Sequence, residues 1–181
     1  MPFQERLDDD LCDFIRAQAM FFTGTAPRQG RINLSPKGLD TFRILDQSRV
    51  AYLDLTGSGN ETAAHINENG RLTMMFCSYD ARMLILRLYG RGEVIRPTDA
   101  GWAEHAPHFD LLPGYRQIIL LHIESVQKSC GFAVPRYQLI GQRDKLIDHA
   151  EKKGRDGIEA YQQNRNQVSI DGHQAYPDIP R

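Results

Sequence analysis

A glycine-rich stretch between a predicted strand and a predicted helix has the composition of an anion-binding site. It reads Thr56-Gly57-Ser58-Gly59-Asn60-Glu61-Thr62. Glycine lets an anion approach the backbone closely, and the N–H groups and dipole at the start of a helix favour negative charge. The side chains of Ser58, Asn60 and Thr62 add hydrogen-bond donors. An ordinary turn is the alternative, because the stretch matches neither a P-loop nor a Gly-x-Gly-x-x-Gly pattern.

A second segment, residues 31–38, carries polar side chains at alternate positions of a predicted strand. Arg31, Asn33 and Ser35 share one face, and the two residues between them are apolar. The polar face lies either in solvent or along a ligand site. Lys37 stands between a proline and a glycine. A cation on such a stiff turn suits a phosphate, and it equally suits a surface loop.

Arg87 is the third candidate, because it interrupts an apolar strand. It shares a face with Ile85 and Tyr89. Arginine is seldom buried without an anionic partner. A phosphate would satisfy it, either within one chain or across a subunit interface. An edge position with the guanidinium in solvent is the competing interpretation.

The elements that position these segments are mainly strands. Predicted strands cover 20–25, 31–35, 42–45, 50–55, 71–77, 83–95 and 115–126. Predicted helices cover 8–18, 61–67, 144–151 and 157–164. The residues at 97–108 are predicted to form a helix or an irregular connection, and 169–181 an extended or disordered end. Many strands with few strand–helix–strand alternations predict an antiparallel barrel with peripheral helices.

Three single residues refine this prediction. Asn60 is a suitable N-cap and Gly70 a suitable left-handed end for the middle helix. Gly90, in the long sixth strand, permits a bulge. We expect one barrel domain at residues 1–140, with a helical extension at 141–181 packed on the same domain.

Composition excludes several classes of protein. The 181 residues are 41% hydrophobic and 25% charged with a net charge of -1, which predicts one soluble domain without a general affinity for nucleic acid. Three scattered cysteines favour neither a disulfide framework nor a zinc site, so we expect no metal. The chain has no leader-like apolar segment and no run of about 20 apolar residues. We therefore expect a cytoplasmic protein with no membrane association.

Together these segments resemble the pyridoxamine 5'-phosphate oxidase-like superfamily, the FMN-binding split barrels. More closely, they resemble the branch of pyridoxamine-phosphate-oxidase-related flavoproteins. The matching stretches are 21–27, 30–38, 50–70, 71–76, 86–90, 130–135 and 143–146. The resemblance implies a mainly β fold with peripheral helices, a split β-barrel, and a homodimer that holds FMN in a cleft built from both chains.

The resemblance also implies positions for the cofactor-binding residues. Those along the flavin ring and ribityl chain would be Arg31, Asn33, Leu34 and Ser35. Those of the adjacent strand, whose backbone faces the ring, would be Tyr52, Leu53, Asp54, Leu55 and Thr56. Those near the phosphate would be Lys37, Asn60, Glu61 and Thr62, with Arg87 as a further contributor.

Two departures from the oxidase pattern shape the expected function. The oxidase opens its middle helix with Ser-Arg-Lys, where this chain has Asn60-Glu61-Thr62, and the oxidase's C-terminal Trp and Arg-x-Arg-x-x-Gly pattern is missing. We therefore expect an FMN-dependent oxidoreductase acting on an unidentified small molecule rather than on pyridoxine phosphate. No catalytic residue is indicated. The alternatives are a non-catalytic flavin- or haem-binding storage or sensor protein, and a deazaflavin in place of FMN.

Overall fold

The computed structural model describes residues 3–176, so the last five residues of the predicted extended end lie outside the described part. The helices are α1 (Asp9–Arg16), α2 (Glu61–Asn69), α3 (Trp102–His105) and α4 (Lys145–Arg165), with a 3₁₀ turn at Ala106–His108. The strands are β1 (Phe21–Thr25), β2 (Asn33–Lys37), β3 (Phe42–Ile44), β4 (Arg49–Leu55), β5 (Arg71–Cys77), β6 (Leu84–Ile95) and β7 (Tyr115–Cys130).

The seven strands form one antiparallel sheet in the order β2-β1-β5-β6-β7-β4-β3. The sheet curls into a half-barrel whose two longest strands are β6 and β7. The register between them shifts at Tyr89/Gly90, as the sequence predicted for a bulge. The antiparallel split-barrel prediction is confirmed.

The sheet separates two apolar clusters. The inner cluster joins α1 to the inward side chains of the strands, with Phe21, Tyr52 and Phe76 among its aromatic residues. The outer cluster includes Leu53 and Ile118, which point to the opposite face and pack near Trp102. Because successive side chains of β4 alternate between these faces, Tyr52 and Asp54 lie on one side and Leu53 on the other.

The two ends of α2 differ in how they are capped. Gly70 adopts the left-handed conformation (φ 71°), as predicted, and its N–H donates to the carbonyl of Ile66. The predicted N-cap role of Asn60 is wrong in one respect, because the Asn60 side chain makes no capping hydrogen bond. The amide of Asn60 is engaged elsewhere, and the first-turn N–H groups of α2 are left for other acceptors.

The structure corrects the bounds of two strands and decides the orientation of one, which the sequence left open. β2 spans Asn33–Lys37 rather than 31–35, so Lys37 lies in the strand and not on a turn after it, and β7 continues to Cys130. Ile32, which precedes β2, is 80% exposed, and Leu34, within β2, is 66% exposed, so these apolar side chains do not face the core. β2 is an edge strand, so one of its hydrogen-bonding edges has no neighbouring strand among residues 3–176.

The predicted helical extension, α4, is divided at Gly154, whose backbone is non-helical (φ 67°, ψ 173°), so the prediction of two helices broken at this glycine is confirmed. Residues 166–176 then turn back against α2 and residues 29–31. Within residues 3–176, no helix combines the length and apolar character needed to cross a membrane.

Candidate functional site

A cavity of about 530 Å³ lies where β2, β4 and the start of α2 meet. We call it the Lys37 pocket. Its walls are Asn33, Ser35 and Lys37 of β2, Asp54 and Leu55 of β4, residues 57–62, Arg116 of β7, and Arg165 with residues 168–170 from the C-terminal end. The glycine-rich stretch and the polar face of β2 therefore line one cavity, although they are separate segments of the sequence.

A buried carboxylate organises the floor of the Lys37 pocket. The Asp54 side chain is 1% exposed, and its Oδ2 accepts hydrogen bonds from Arg116 Nη2 at 2.6 Å and Nε at 3.1 Å. Its Oδ1 accepts from Lys37 Nζ at 3.0 Å. Gln117 Nε2 donates to Oδ2 at 2.9 Å. Every oxygen of this buried carboxylate is thus paired, as burial of a charge requires.

Both Lys37 and Arg116 pair with the single negative charge of Asp54. Burial acts to raise the pKa of Asp54, but the Arg116 guanidinium and the Lys37 ammonium outweigh it and hold that pKa well below its usual range. Asp54 is therefore ionised at neutral pH. With one negative charge against two positive charges, the floor of the pocket retains positive charge.

Asn33 connects the polar face of β2 to α2. Its Nδ2 donates to Thr62 Oγ1 at 3.1 Å and to Thr25 Oγ1 at 3.2 Å, while its Oδ1 accepts from Ser35 at 3.0 Å. Thr25 also hydrogen-bonds His65 Nδ1 at 3.0 Å. This network fixes the polar side chains of β2 toward the Lys37 pocket rather than toward solvent.

A further wall of the Lys37 pocket is formed by residues near the C-terminal end of the described chain. Asn166 is fully buried, and its Oδ1 accepts a 2.6 Å hydrogen bond from Arg116. Both carboxylate oxygens of Glu61 accept from the backbone N–H of Ile170 at 3.1 Å. The acidic residue at the start of α2 is therefore directed to residues 166–170 and not to the centre of the cavity.

The residues predicted to bind a cofactor divide into two sets. The structure brings eight of them together around the Lys37 pocket: Asn33, Ser35, Lys37, Asp54, Leu55, Asn60, Glu61 and Thr62. The others lie outside its lining: Arg31, Leu34, Tyr52, Leu53, Thr56 and Arg87.

The outlying residues have their own surroundings. Arg31 is paired with Asp171, and Leu34 is exposed on the outer face of β2. Thr56 is buried, where its hydroxyl donates to Gly114 O at 2.8 Å. Tyr52 is fully buried, and burial raises the pKa of its hydroxyl well above the usual range. Arg87 donates to Ser129 at 3.1 Å on a distant part of the sheet.

Four residues at or beside the Lys37 pocket were not among the predicted site residues: Arg116, Gln117, Arg165 and Asn166. They are distant in sequence from the glycine-rich stretch, which Arg116, Gln117 and Asn166 hydrogen-bond and with which Arg165 shares a cavity. Arg116 could have been predicted from the sequence. Asp54 interrupts the apolar strand 50–55, and a buried carboxylate needs a cation. Arg116 stands at the start of the apolar run that pairs with this strand.

A second cavity, of about 740 Å³, lies on the other side of Arg116. Its walls are α4 and the connections on either side of α3, and they include Arg96, Leu112 and Ile158. The volume is in the range of small-molecule sites. Arg116 thus separates two cavities, each large enough for an organic ligand group.

Comparison with known proteins places this architecture in a family. The family model for pyridoxamine 5'-phosphate oxidase matches residues 7–130. The pyridoxamine 5'-phosphate oxidase family protein ustO of Aspergillus flavus is 42% identical over 191 aligned residues, covering 95% of this chain and 77% of that protein.

Solved structures agree with the fold. HupZ of Group A Streptococcus superposes with a TM-score of 0.56 at 19% identity, over 74% of this chain and 99% of that chain. A putative pyridoxamine 5'-phosphate oxidase of Lactobacillus delbrueckii gives a TM-score of 0.53 at 17% identity, over 68% of this chain and 99% of that chain. From the family model and the Aspergillus relative together, the chain belongs to the pyridoxamine 5'-phosphate oxidase family.

Proposed function

We propose that the chain binds FMN, with the flavin phosphate in the Lys37 pocket, and acts as an FMN-dependent oxidoreductase on a small molecule. The observation that carries this proposal is the meeting of Lys37, Arg116 and Arg165 beside a glycine-rich turn and a helix start. This combination of cations, close backbone and helix dipole is suited to a phosphate. Membership of a family named for an oxidase supports a redox role.

The donor set of the pocket fits a phosphate monoester. A phosphate carries between one and two negative charges at neutral pH. Three cations line the pocket against two carboxylates, Asp54 and Glu61. Asp54 is paired with Lys37 and Arg116, while Glu61 keeps its charge and accepts the N–H of Ile170. The lining therefore carries a net positive charge, which matches an anionic phosphate better than a neutral sugar or ring.

The flavin's other parts have suitable neighbours along β2 and β4. Asn33 and Ser35 offer an amide and a hydroxyl for the ribityl chain. The backbone from Tyr52 to Thr56 runs beside them in β4, and we propose that it faces the ring. Of these residues, Asn33, Ser35, Asp54 and Leu55 line the cavity, and the others of β4 are their neighbours in sequence.

We further propose that FMN lies between two copies of the chain. Ile32, just before β2, and Leu34, within β2, expose apolar side chains beside the Lys37 pocket, which this edge strand lines. Such a face beside a ligand site is suited to burial against a partner. Arg87 does not line the pocket of its own chain, so it could approach the flavin only from the second subunit.

When bound, FMN supplies the electron transfer itself. The residues of this chain bind and orient it: Lys37 and Arg116 neutralise the phosphate, while Thr62 and Asn33 fix the junction of β2 and α2. The start of α2 has no cation of its own, in contrast to the oxidase pattern. The proposal is therefore FMN binding and redox chemistry without a commitment to vitamin B6 substrates.

Reduction of the bound flavin tests the oxidoreductase proposal. We expect anaerobic NADH or NADPH to bleach the visible absorbance of the FMN-loaded protein faster than that of free FMN at the same concentration. Heat-unfolded protein with the same FMN provides the matched control. If dithionite bleaches the bound flavin but neither nicotinamide does so above the free-FMN rate, the chain would be a carrier or sensor instead.

A further inference from the structure

The C-terminal end of α4 supplies a cation to the Lys37 pocket. Arg165 is the last residue of α4, is exposed, and lines the cavity together with Lys37 and Arg116. Among residues 3–176, no acceptor pairs with its guanidinium, whereas Arg155 of the same helix is paired with Glu159 at 2.9 Å. Arg165 is therefore the least engaged of the three cations around the cavity.

The position of Arg165 is fixed by its neighbour, Asn166. Asn166 Oδ1 accepts from Arg116 Nη1 at 2.6 Å, and its Nδ2 donates to the carbonyl of Gly57 at 3.2 Å. Its own carbonyl accepts from Asn60 Nδ2 at 3.4 Å. A fully buried amide thus joins the end of α4 to both the buried arginine and the glycine-rich turn.

A second set of contacts holds residues 170–175, beyond Asn166, in place. Glu61 receives the N–H of Ile170 on both carboxylate oxygens, and Asp171 pairs with Arg31. Further along, Asn67 Nδ2 donates to the carbonyl of Ala175 at 2.9 Å. These contacts hold residues 166–175 against α2 and against Arg31, just before β2, so the pocket has this wall only when the C-terminal segment is in place.

From these contacts we infer that the C-terminal segment is part of the cofactor site and that Arg165 binds the phosphate group of the ligand. The inference rests on the proposed function for the identity of the ligand. The geometry explains how a helix that begins with Asn60-Glu61-Thr62 can border an anion site. The cations come from β2, β7 and the end of α4, and Asn60 and Glu61 hold the segment that carries one of them.

The test compares FMN with riboflavin, which lacks the phosphate. Dissociation constants for both are measured by quenching of flavin fluorescence in wild type, Arg165→Gln and, as the matched control on the same helix, Arg155→Gln. We expect Arg165→Gln to weaken FMN binding about tenfold and to leave riboflavin binding unchanged, because one charge-assisted hydrogen bond is lost. Arg155→Gln should change neither. An unchanged ratio of the two constants in Arg165→Gln would overturn the inference.

An inorganic phosphate titration separates this inference from the proposed function. Wild type that binds neither FMN nor riboflavin would contradict the proposed function before any variant is compared. In that event, thermal unfolding in orthophosphate, against sodium chloride at equal ionic strength, decides the role of Arg165. We expect phosphate to raise the melting temperature of wild type and Arg155→Gln more than that of Arg165→Gln, and equal shifts would refute an anion site at Arg165.

Discussion

Replacing Arg116 with methionine should lower the free energy of unfolding by about 3–5 kcal/mol at pH 7. The Arg116 side chain is 4% exposed and donates to Asp54, Gly59 O and Asn166 Oδ1. Methionine fills much of the same space but leaves Asp54 buried with one cation fewer. It also leaves two acceptors without their donor, which adds to the cost of an underpaired buried carboxylate.

Urea unfolding followed by circular dichroism would measure this loss. Arg155→Met is the matched control, because Arg155 is 83% exposed and its replacement should change stability by no more than about 0.5 kcal/mol. Arg116→Lys keeps the charge but loses the forked hydrogen bonds, so an intermediate loss is expected. A loss in Arg116→Met as small as that of the control would show that the Asp54–Arg116 pair does not organise the pocket.

The pH dependence of this difference follows from the depressed pKa of Asp54. A carboxylate whose pKa is lower in the folded state stabilises the fold above its unfolded pKa of about 3.9, and that stabilisation is lost as pH falls toward the folded value. The gap between wild type and Arg116→Met should therefore be largest at neutral pH and narrow on acidification.

Gly90→Ala should also be strongly destabilising, and we expect it to lower the free energy of unfolding by about 3 kcal/mol. A Cβ at this position would overlap the backbone carbonyl oxygen of His122 and lie 3.0 Å from the backbone N of Glu124. Both atoms belong to β7, the central partner of β6, so neither can move without disturbing the ladder on which the curl of the sheet depends.

Gly141→Ala is the matched control for Gly90→Ala. A Cβ at Gly141 would meet nothing within 4 Å, so this variant should unfold within about 0.5 kcal/mol of wild type. Thermal and urea unfolding of the two variants side by side measure the difference. Equal stabilities would mean that the bulge at Tyr89/Gly90 can accept a side chain and is not what bends β6.

The local parts of the fold could be predicted from sequence because their causes are local. Alternation and β-branched runs located the strands, and Gly70 and Gly154 marked a helix end and a helix break through their positive φ. The Asn60 cap was mispredicted because its amide has better partners in Gln117 and Asn166, which are remote in sequence. Local capping rules cannot register such competition from tertiary contacts.

The candidate site was only half predictable for the same reason. The polar alternation of 31–35 left open which face of β2 would be buried. In the structure, Asn33 donates hydrogen bonds to Thr25 and Thr62, so the polar face of β2 points inward. The apolar side chains of Ile32 and Leu34 are therefore exposed. The cations Arg116 and Arg165 come from segments with no recognisable anion motif, so only their three-dimensional contacts reveal them.

Identification of the ligand of the purified protein tests the proposal that this chain binds FMN. Mass spectrometry of the small molecule released by denaturation, after incubation with FMN and removal of the excess, should give the mass of FMN at about one molecule per chain. Release of a deazaflavin, haem or riboflavin in its place, or a colourless protein that retains no added FMN, would contradict the account.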